Sequence, residues 1–272
     1  MLRSLAMAML LSLSAAVHAA DRPLVLSTLP FDDAPQQQAI YGQLASELGR
    51  ALGRKVVFEP GTTYADVVLR LNRGTTDVAF VGALSYVEAR RNGNVRAILR
   101  SIRHKSSTVA GVLVVPATSS AKSLADLRGK RIAFVDPGST TGFFLPRIAL
   151  QRAGLVIDRD VTAVFTGSHQ AALKAMQDGR ADAAAVYEGA ETNLADPASV
   201  RVLVRTDTVP GDPVVVRAGL GPDVIKALRS AFMALGESTP GKRFLAVSEL
   251  DGFVPALDGD YDGFAKLTTS AP

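Results

Sequence analysis

The chain has 272 residues, with 30 Lys plus Arg against 26 Asp plus Glu, no Cys and no Trp, and 47% of it is hydrophobic. This composition excludes a disordered tail, a collagen-like repeat and a disulfide scaffold. A net charge of +4 without a dense basic run gives no footprint for nucleic acid or an anionic membrane. The two short clusters, Arg100 with Arg103, His104 and Lys105, and Arg128 with Lys130 and Arg131, read as solvated loops.

Residues 1–19 differ from the rest: Arg3 is their only charged side chain, and Leu5 to Leu13 is apolar apart from Ser12. The segment reads as a secretory signal peptide. Val17 and Ala19 suit the third and first positions before a cut, so the mature chain is expected to begin at Ala20. The apolar run is shorter than the ~20 residues that span a bilayer. The mature chain keeps a charge of +3 and has no Cys to carry a lipid. It is expected to diffuse in a periplasm without a lipid anchor.

The first predicted elements are a strand at Leu24–Thr28, a helix at Gln36–Leu52 and a strand at Lys55–Glu59. Tyr64 to Gly74 then reads as a helix capped by Thr63, with a buried strand from Asp77 to Val81. The same signals return at an offset of 105, where Ser168 precedes His169 to Gly179 and Asp182 opens a strand to Val186. Upstream of this second copy lie a strand at Arg131–Val135, a helix at Thr141–Ala153 and a strand at Val161–Phe165. The order is βαβαβ twice, which predicts an α/β fold of two lobes with parallel sheets and helices on both faces.

Val109 to Val115, ending at Pro116, reads as one hinge crossing, and Pro210 to Pro213, between Val202–Val204 and Val214–Val216, as a second. Lobe 1 is thus expected at 20–116 and 213–272, with a helix from Asp223 to Leu235, and lobe 2 at 117–212. Such folds bind ligands beyond the carboxyl ends of their strands, so the cleft between lobes is the expected site.

Three candidate features face that cleft. Asp136-Pro-Gly-Ser139-Thr140-Thr141-Gly142 joins a strand to a helix, where unpaired N–H groups suit an oxyanion, although the segment also reads as an ordinary N-cap. Gly167-Ser168-His169 opens the repeat helix, and Tyr64 holds the equivalent place in the first lobe. Motifs for dinucleotides, P-loops and nucleophile elbows are absent, and a mature chain with two His and no Cys disfavours zinc. No cofactor is expected.

Four segments carry a resemblance. They are Asp77-Val-Ala-Phe-Val-Gly82-Ala-Leu-Ser-Tyr86, then Leu127-Arg-Gly-Lys130 through Gly142 with Pro146, then Gly167-Ser-His169, and finally Asp251-Gly-Phe-Val-Pro255 with Asp260-Tyr261. The chain resembles the phosphate, phosphite and phosphonate solute-binding proteins of ABC transporters. The resemblance implies a type II periplasmic binding protein fold, a monomer that closes on a phosphorus oxyanion and delivers it to a membrane permease, with no nucleic acid and no catalysis. It further implies that Ser139, Thr140, Thr141, His169 and Tyr64 hold the anion, and that Glu188 or Asp212 accepts a proton from the ligand or pairs with its ammonium group. Tyr86 fits the pattern as a contact or as packing beneath the site. Thr141 replaces the family's usual Ser, and Ser107-Thr-Val109-Ala-Gly111 lacks its usual aromatic. Two other readings stay open: a receptor that presents its ligand to a sensor kinase, and a hydrolase using Ser139 with His169.

Overall fold

The computed structural model of the chain describes residues 22–30, 34–93 and 95–270; the expected leader lies outside them. In chain order the first lobe contributes β1 Leu24–Thr28, α1 Ala34–Leu52, β2 Val56–Phe58, α2 Tyr64–Arg73, β3 Val78–Phe80, α3 Ala83–Arg90 and β4 Val95–Ile102. There follow β5 Thr108–Pro116, β6 Arg131–Phe134, a π-turn at Thr140–Phe144 running into α4 Leu145–Arg152, β7 Thr162–Phe165, α5 His169–Gln177, β8 Ala183–Tyr187 and β9 Val200–Pro210. The chain then returns through β10 Pro213–Arg217, α6 Pro222–Met233, α7 Thr239–Val247, β11 Gly252–Pro255 and α8 Asp262–Ser270.

Two sheets result, one of six strands in the order β11-β4-β10-β3-β1-β2 and one of five in the order β7-β6-β8-β5-β9. Each has helices on both faces. On the first sheet, α1, α6 and α7 bury Leu44, Leu48, Leu228, Phe232 and Phe244 on one side. On its other side α2, α3 and α8 bury Val67, Leu71, Tyr86 and Phe264. The second sheet is covered by α5 through Ala172 and Met176 and by α4 through Leu150.

The repeat has a physical basis in each copy. The Thr63 and Ser168 hydroxyls accept the Asp66 and Ala171 N–H groups, both at 3.0 Å, so each caps its helix. Gly74 and Gly179 hold left-handed φ values of 69° and 71° beyond the helix ends, a conformation that costs other residues free energy. Asp77 then accepts the Val25 N–H at 2.9 Å, and Asp182 accepts that of Arg131 at 2.8 Å, so each carboxylate ties its strand to the start of the neighbouring one.

Two expectations require correction. Only the βαβαβ cores, β1 to β3 and β6 to β8, are parallel; β10 runs antiparallel to β3 and β4, and β5 antiparallel to β8 and β9. None of these antiparallel pairs is consecutive in the chain: β5 and β10 enter their sheets from the two crossings and β9 from the segment after β8, outside the βαβ repeats whose helical crossovers impose parallel order. The expected lobe boundary after residue 116 also moves. The apolar run of β5 is buried against β8 and β9, so it belongs to the second sheet and the first crossing lies at residues 103–107.

The return crossing is Gly211–Asp212, and the two crossings touch: the Gly211 N–H donates to the Ser107 carbonyl at 2.8 Å, and the Ser101 N–H donates to that of Asp212 at 2.9 Å. A Cβ on Gly211 would stand 2.5 Å from the Ser101 carbonyl oxygen, a backbone atom that cannot step aside alone. Gly211→Ala is therefore expected to cost ~1–3 kcal/mol of stability, read from urea unfolding, and to weaken ligand binding by forcing the hinge strands apart.

Candidate functional site

A cavity of about 280 Å³ lies between the sheets. That is near the small end of the ~300–1,000 Å³ common for ligand sites, so the occupant is a small molecule. It sits where the strand order reverses in both lobes, beyond the carboxyl ends of β1, β3, β6 and β8.

The floor from the second lobe is the Ser139–Thr141 turn. Ser139 caps the π-turn, its hydroxyl accepting the Gly142 N–H at 3.1 Å, and the Phe144 N–H reaches back to the Ser139 carbonyl at 2.9 Å. Such wide turns recur at functional sites, and the first N–H groups of any helix lack a partner inside it. Two glycines make this turn possible. A Cβ on Gly142 would lie 2.3 Å from Val135 Cγ2, and one on Gly111 would lie 2.6 Å from the Thr141 carbonyl oxygen. The Gly111 position thus trades a side chain for close passage of β5 beneath the turn.

His169 opens α5 beside this turn. Its Nδ1 accepts the Tyr187 N–H at 3.3 Å, which leaves the proton of the neutral ring on Nε2. Burial, helped by the nearby Arg103 cation, pushes its pKa down to about 3, so the ring is a neutral donor at physiological pH. Tyr64 comes from the first lobe with its hydroxyl on Ser139, and burial pushes its pKa up, so it too stays protonated. Thr140 joins the lobes, its hydroxyl accepting the Leu84 N–H of α3 at 2.8 Å.

Asp212, on the return crossing, lines the cavity beside Gly82 and Thr140. Burial pushes its pKa up to about 6 against the opposing pull of Arg103. Among the described residues no hydrogen bond reaches its carboxyl group.

Of the expected contacts, Tyr64, Ser139, Thr140, Thr141, His169 and Asp212 share this cavity, and two lie elsewhere. Glu188 pairs with Arg205, which holds its pKa below the usual carboxylate range. Strand alternation explains the placement: Tyr187 faces the cavity, so its neighbour points away. Tyr86 is fully buried on the inner side of α3, where its hydroxyl donates to Asp258 and its ring packs edge-on against Tyr261.

Arg103 is the main residue that sequence reasoning missed. Read as part of a solvated cluster, it instead lines the cavity with its side chain only 13% exposed, stacks over the Tyr187 ring at 4.7 Å and pairs with Glu249 at 3.2 Å. Glu249 lies 146 positions away, so no local pattern could announce the pair. Tyr187 was missed for another reason: Ala183–Val186 is apolar and buried on both faces, so no alternation marks which of Tyr187 and Glu188 turns toward the cavity.

Residues 26–261 match the family described as "ABC transporter, phosphonate, periplasmic substrate-binding protein". The phosphate-import protein PhnD of Mycolicibacterium smegmatis is 28% identical over 266 residues, covering 88% of this chain and 83% of that protein. The fold is similar to that of PhnD1 from Prochlorococcus marinus, solved in complex with methylphosphonate, with a TM-score of 0.83, 22% identity and coverage of 92% of this chain and 98% of that one. It is also similar to a binding protein component of an ABC phosphonate transporter, PA3383 from Pseudomonas aeruginosa, with a TM-score of 0.80, 18% identity and coverage of 92% and 88%. The family match spans both lobes and both hinge crossings, and the chain belongs to the phosphonate-binding family of periplasmic ABC-transporter substrate-binding proteins.

Proposed function

We propose that the cleft captures a small phosphorus oxyanion, phosphonate, phosphite or phosphate, and delivers it as a monomeric carrier to an inner-membrane permease, without catalysis. The observation that carries this reading is the convergence of neutral donors, His169 Nε2–H, the Tyr64 hydroxyl and the Thr140 and Thr141 N–H groups that open the π-turn, on one small cavity. Fixed dipoles in a site from which water has been removed hold an anion without a full counter-charge. The hydrolase reading lacks its parts: among the described residues no hydrogen bond joins Ser139 to His169, and a ring with a pKa near 3 is a poor base.

Charge selects among anions. The lining carries Arg103 against Asp212 and Glu249, so a fully deprotonated anion would meet an excess of negative charge. A ligand that brings a P–OH or an ammonium group to Asp212 supplies the missing hydrogen bond. Sulfate, with no proton at neutral pH, does not.

A thermal-shift and calorimetry panel of phosphate, phosphite, methylphosphonate, 2-aminoethylphosphonate and sulfate tests the reading. A phosphorus ligand at 100 times its Kd should add ~2.7 kcal/mol of stability. Ser139→Ala and His169→Ala should each weaken it by ~1–3 kcal/mol. Stabilisation by sulfate alone, or by none of the five, would show the reading to be wrong.

A further inference from the structure

Around the cavity, one group of side chains reaches across the cleft beside the proposed oxyanion donors. Glu249, from the segment after α7, accepts hydrogen bonds from the Tyr187 hydroxyl at 3.2 Å and from Asn193 Nδ2, both in the second lobe. It also pairs with Arg103 of the first crossing at 3.2 Å, and the Arg103 guanidinium lies over the Tyr187 ring. The Tyr187 ring also meets that of His169 edge-to-face, with centroids 4.9 Å apart. Outward from the oxyanion donors, the wall therefore runs from His169 to Tyr187 to the Arg103–Glu249 pair.

Two further observations set this cluster apart. Glu249 has a left-handed φ of 53° in the turn that closes α7, held by the Leu250 N–H donating to the Leu245 carbonyl at 2.8 Å, so the end of the helix fixes where its carboxylate stands. The neighbouring backbone is also tied to the hinge, since the Asp251 carboxylate accepts the Lys105 N–H at 2.7 Å. The cluster joins both lobes and the first crossing at one point on the cavity wall.

We propose that Arg103, Tyr187 and Glu249 form a lock across the cleft that sets the length of the substituent on the bound oxyanion. The inference rests on the phosphorus-oxyanion reading of the cavity and adds its ligand class: short phosphonates and inorganic phosphorus anions, which fit inside the closed lock. A long alkyl phosphonate must enter the space of Tyr187 and separate Glu249 from its three partners.

The test compares Kd values for methylphosphonate and hexylphosphonate by calorimetry in the wild type, Tyr187→Ala and Glu249→Gln. The wild type should favour methylphosphonate by at least 100-fold. Tyr187→Ala should shrink this ratio at least 10-fold, and Glu249→Gln should shrink it by a smaller factor. A side chain that merely supports the fold would weaken both ligands alike; an unchanged ratio in both variants overturns the proposal, as does a wild type that binds the two equally. A second measurement does not need the ligand. The chain has no Cys, so spin labels at Lys174→Cys on α5 and Lys226→Cys on α6 report the lobe separation directly. Glu249→Gln should shift the ligand-free distances toward the open form, and identical distributions would overturn the lock. If no phosphorus ligand binds the wild type while the distances shift, the functional reading and the assigned ligand class fail together, and the contact across the cleft stands by itself.

Discussion

Asp77→Asn is expected to cost about 3–5 kcal/mol of stability, whereas Asp182→Asn, the same substitution at the equivalent place in the repeat, costs about 1 kcal/mol or less. The difference comes from burial. The Asp77 carboxylate is fully buried and takes a bidentate pair from Arg22 at 2.6 and 2.8 Å, a contact from Arg217 Nε at 2.5 Å and the Val25 N–H. An Asn there keeps one acceptor oxygen but leaves two guanidinium groups facing a neutral amide, one of them only 26% exposed. Asp182 and Arg131 are 36% and 46% exposed, so water screens the pair and replaces it when it is lost. Total stability of a domain is commonly ~5–15 kcal/mol, so the first change removes a large share and the second a small one. Urea unfolding followed by circular dichroism measures both, and equal losses at the two positions would refute the burial argument.

That comparison also shows which parts of the molecule could be read from sequence. The repeat was legible because each of its signals acts locally: a hydroxyl caps the helix that follows it, and Gly74 or Gly179 supplies a left-handed φ a few residues later. The donors of the Ser139 turn were legible for the same reason, since strand, small residues and helix adjoin in the chain. Sheet order was not. Nothing near β10 says that it inserts between β3 and β4, because that choice is made by partners more than a hundred residues away. Arg103 and Glu249 fall in the same class. The choice between Tyr187 and Glu188 failed differently: in a strand a shift of one residue exchanges the two faces, and the composition around β8 gives no means of fixing the register. The C-terminal motif around Tyr261, legible only as a resemblance, has a mechanical role, because its hydroxyl donates to the Gly211 carbonyl at 2.7 Å and so braces the return crossing.

The two titratable groups on opposite sides of the cavity should tilt stability in opposite directions with pH, and the wild type should conceal it. Asp212 has its pKa raised from 3.8 to about 6, so the native state binds its proton more tightly than the unfolded chain does. Its contribution is favourable at low pH and is lost as pH rises from about 4 to 6. His169 has its pKa lowered from 6.5 to about 3, so the unfolded chain binds that proton more tightly, and stability is lost as pH falls from about 6.5 to 3. Both slopes approach ~1.4 kcal/mol per pH unit where the windows overlap, between about pH 4 and 6, and there they cancel. Asp212→Asn exposes the histidine: stability relative to the wild type should climb across that window, toward a difference on the order of 3 kcal/mol above pH 6, less whatever the new amide loses in unmade hydrogen bonds. His169→Gln exposes the carboxylate, and its stability relative to the wild type should fall across the same window. Urea midpoints at pH 4, 5 and 6 for the three proteins decide the matter, and parallel curves would mean that neither group carries the shift. The ligand enters the same linkage. Among the described residues no donor reaches an ionised Asp212, and a bound P–OH or ammonium group provides one. The phosphonate loses its own last proton near this range in both proteins, so the readout is the difference between them: the excess of ligand-induced stabilisation by 2-aminoethylphosphonate, whose ammonium stays charged throughout, in the wild type over Asp212→Asn should grow from pH 5 to 7.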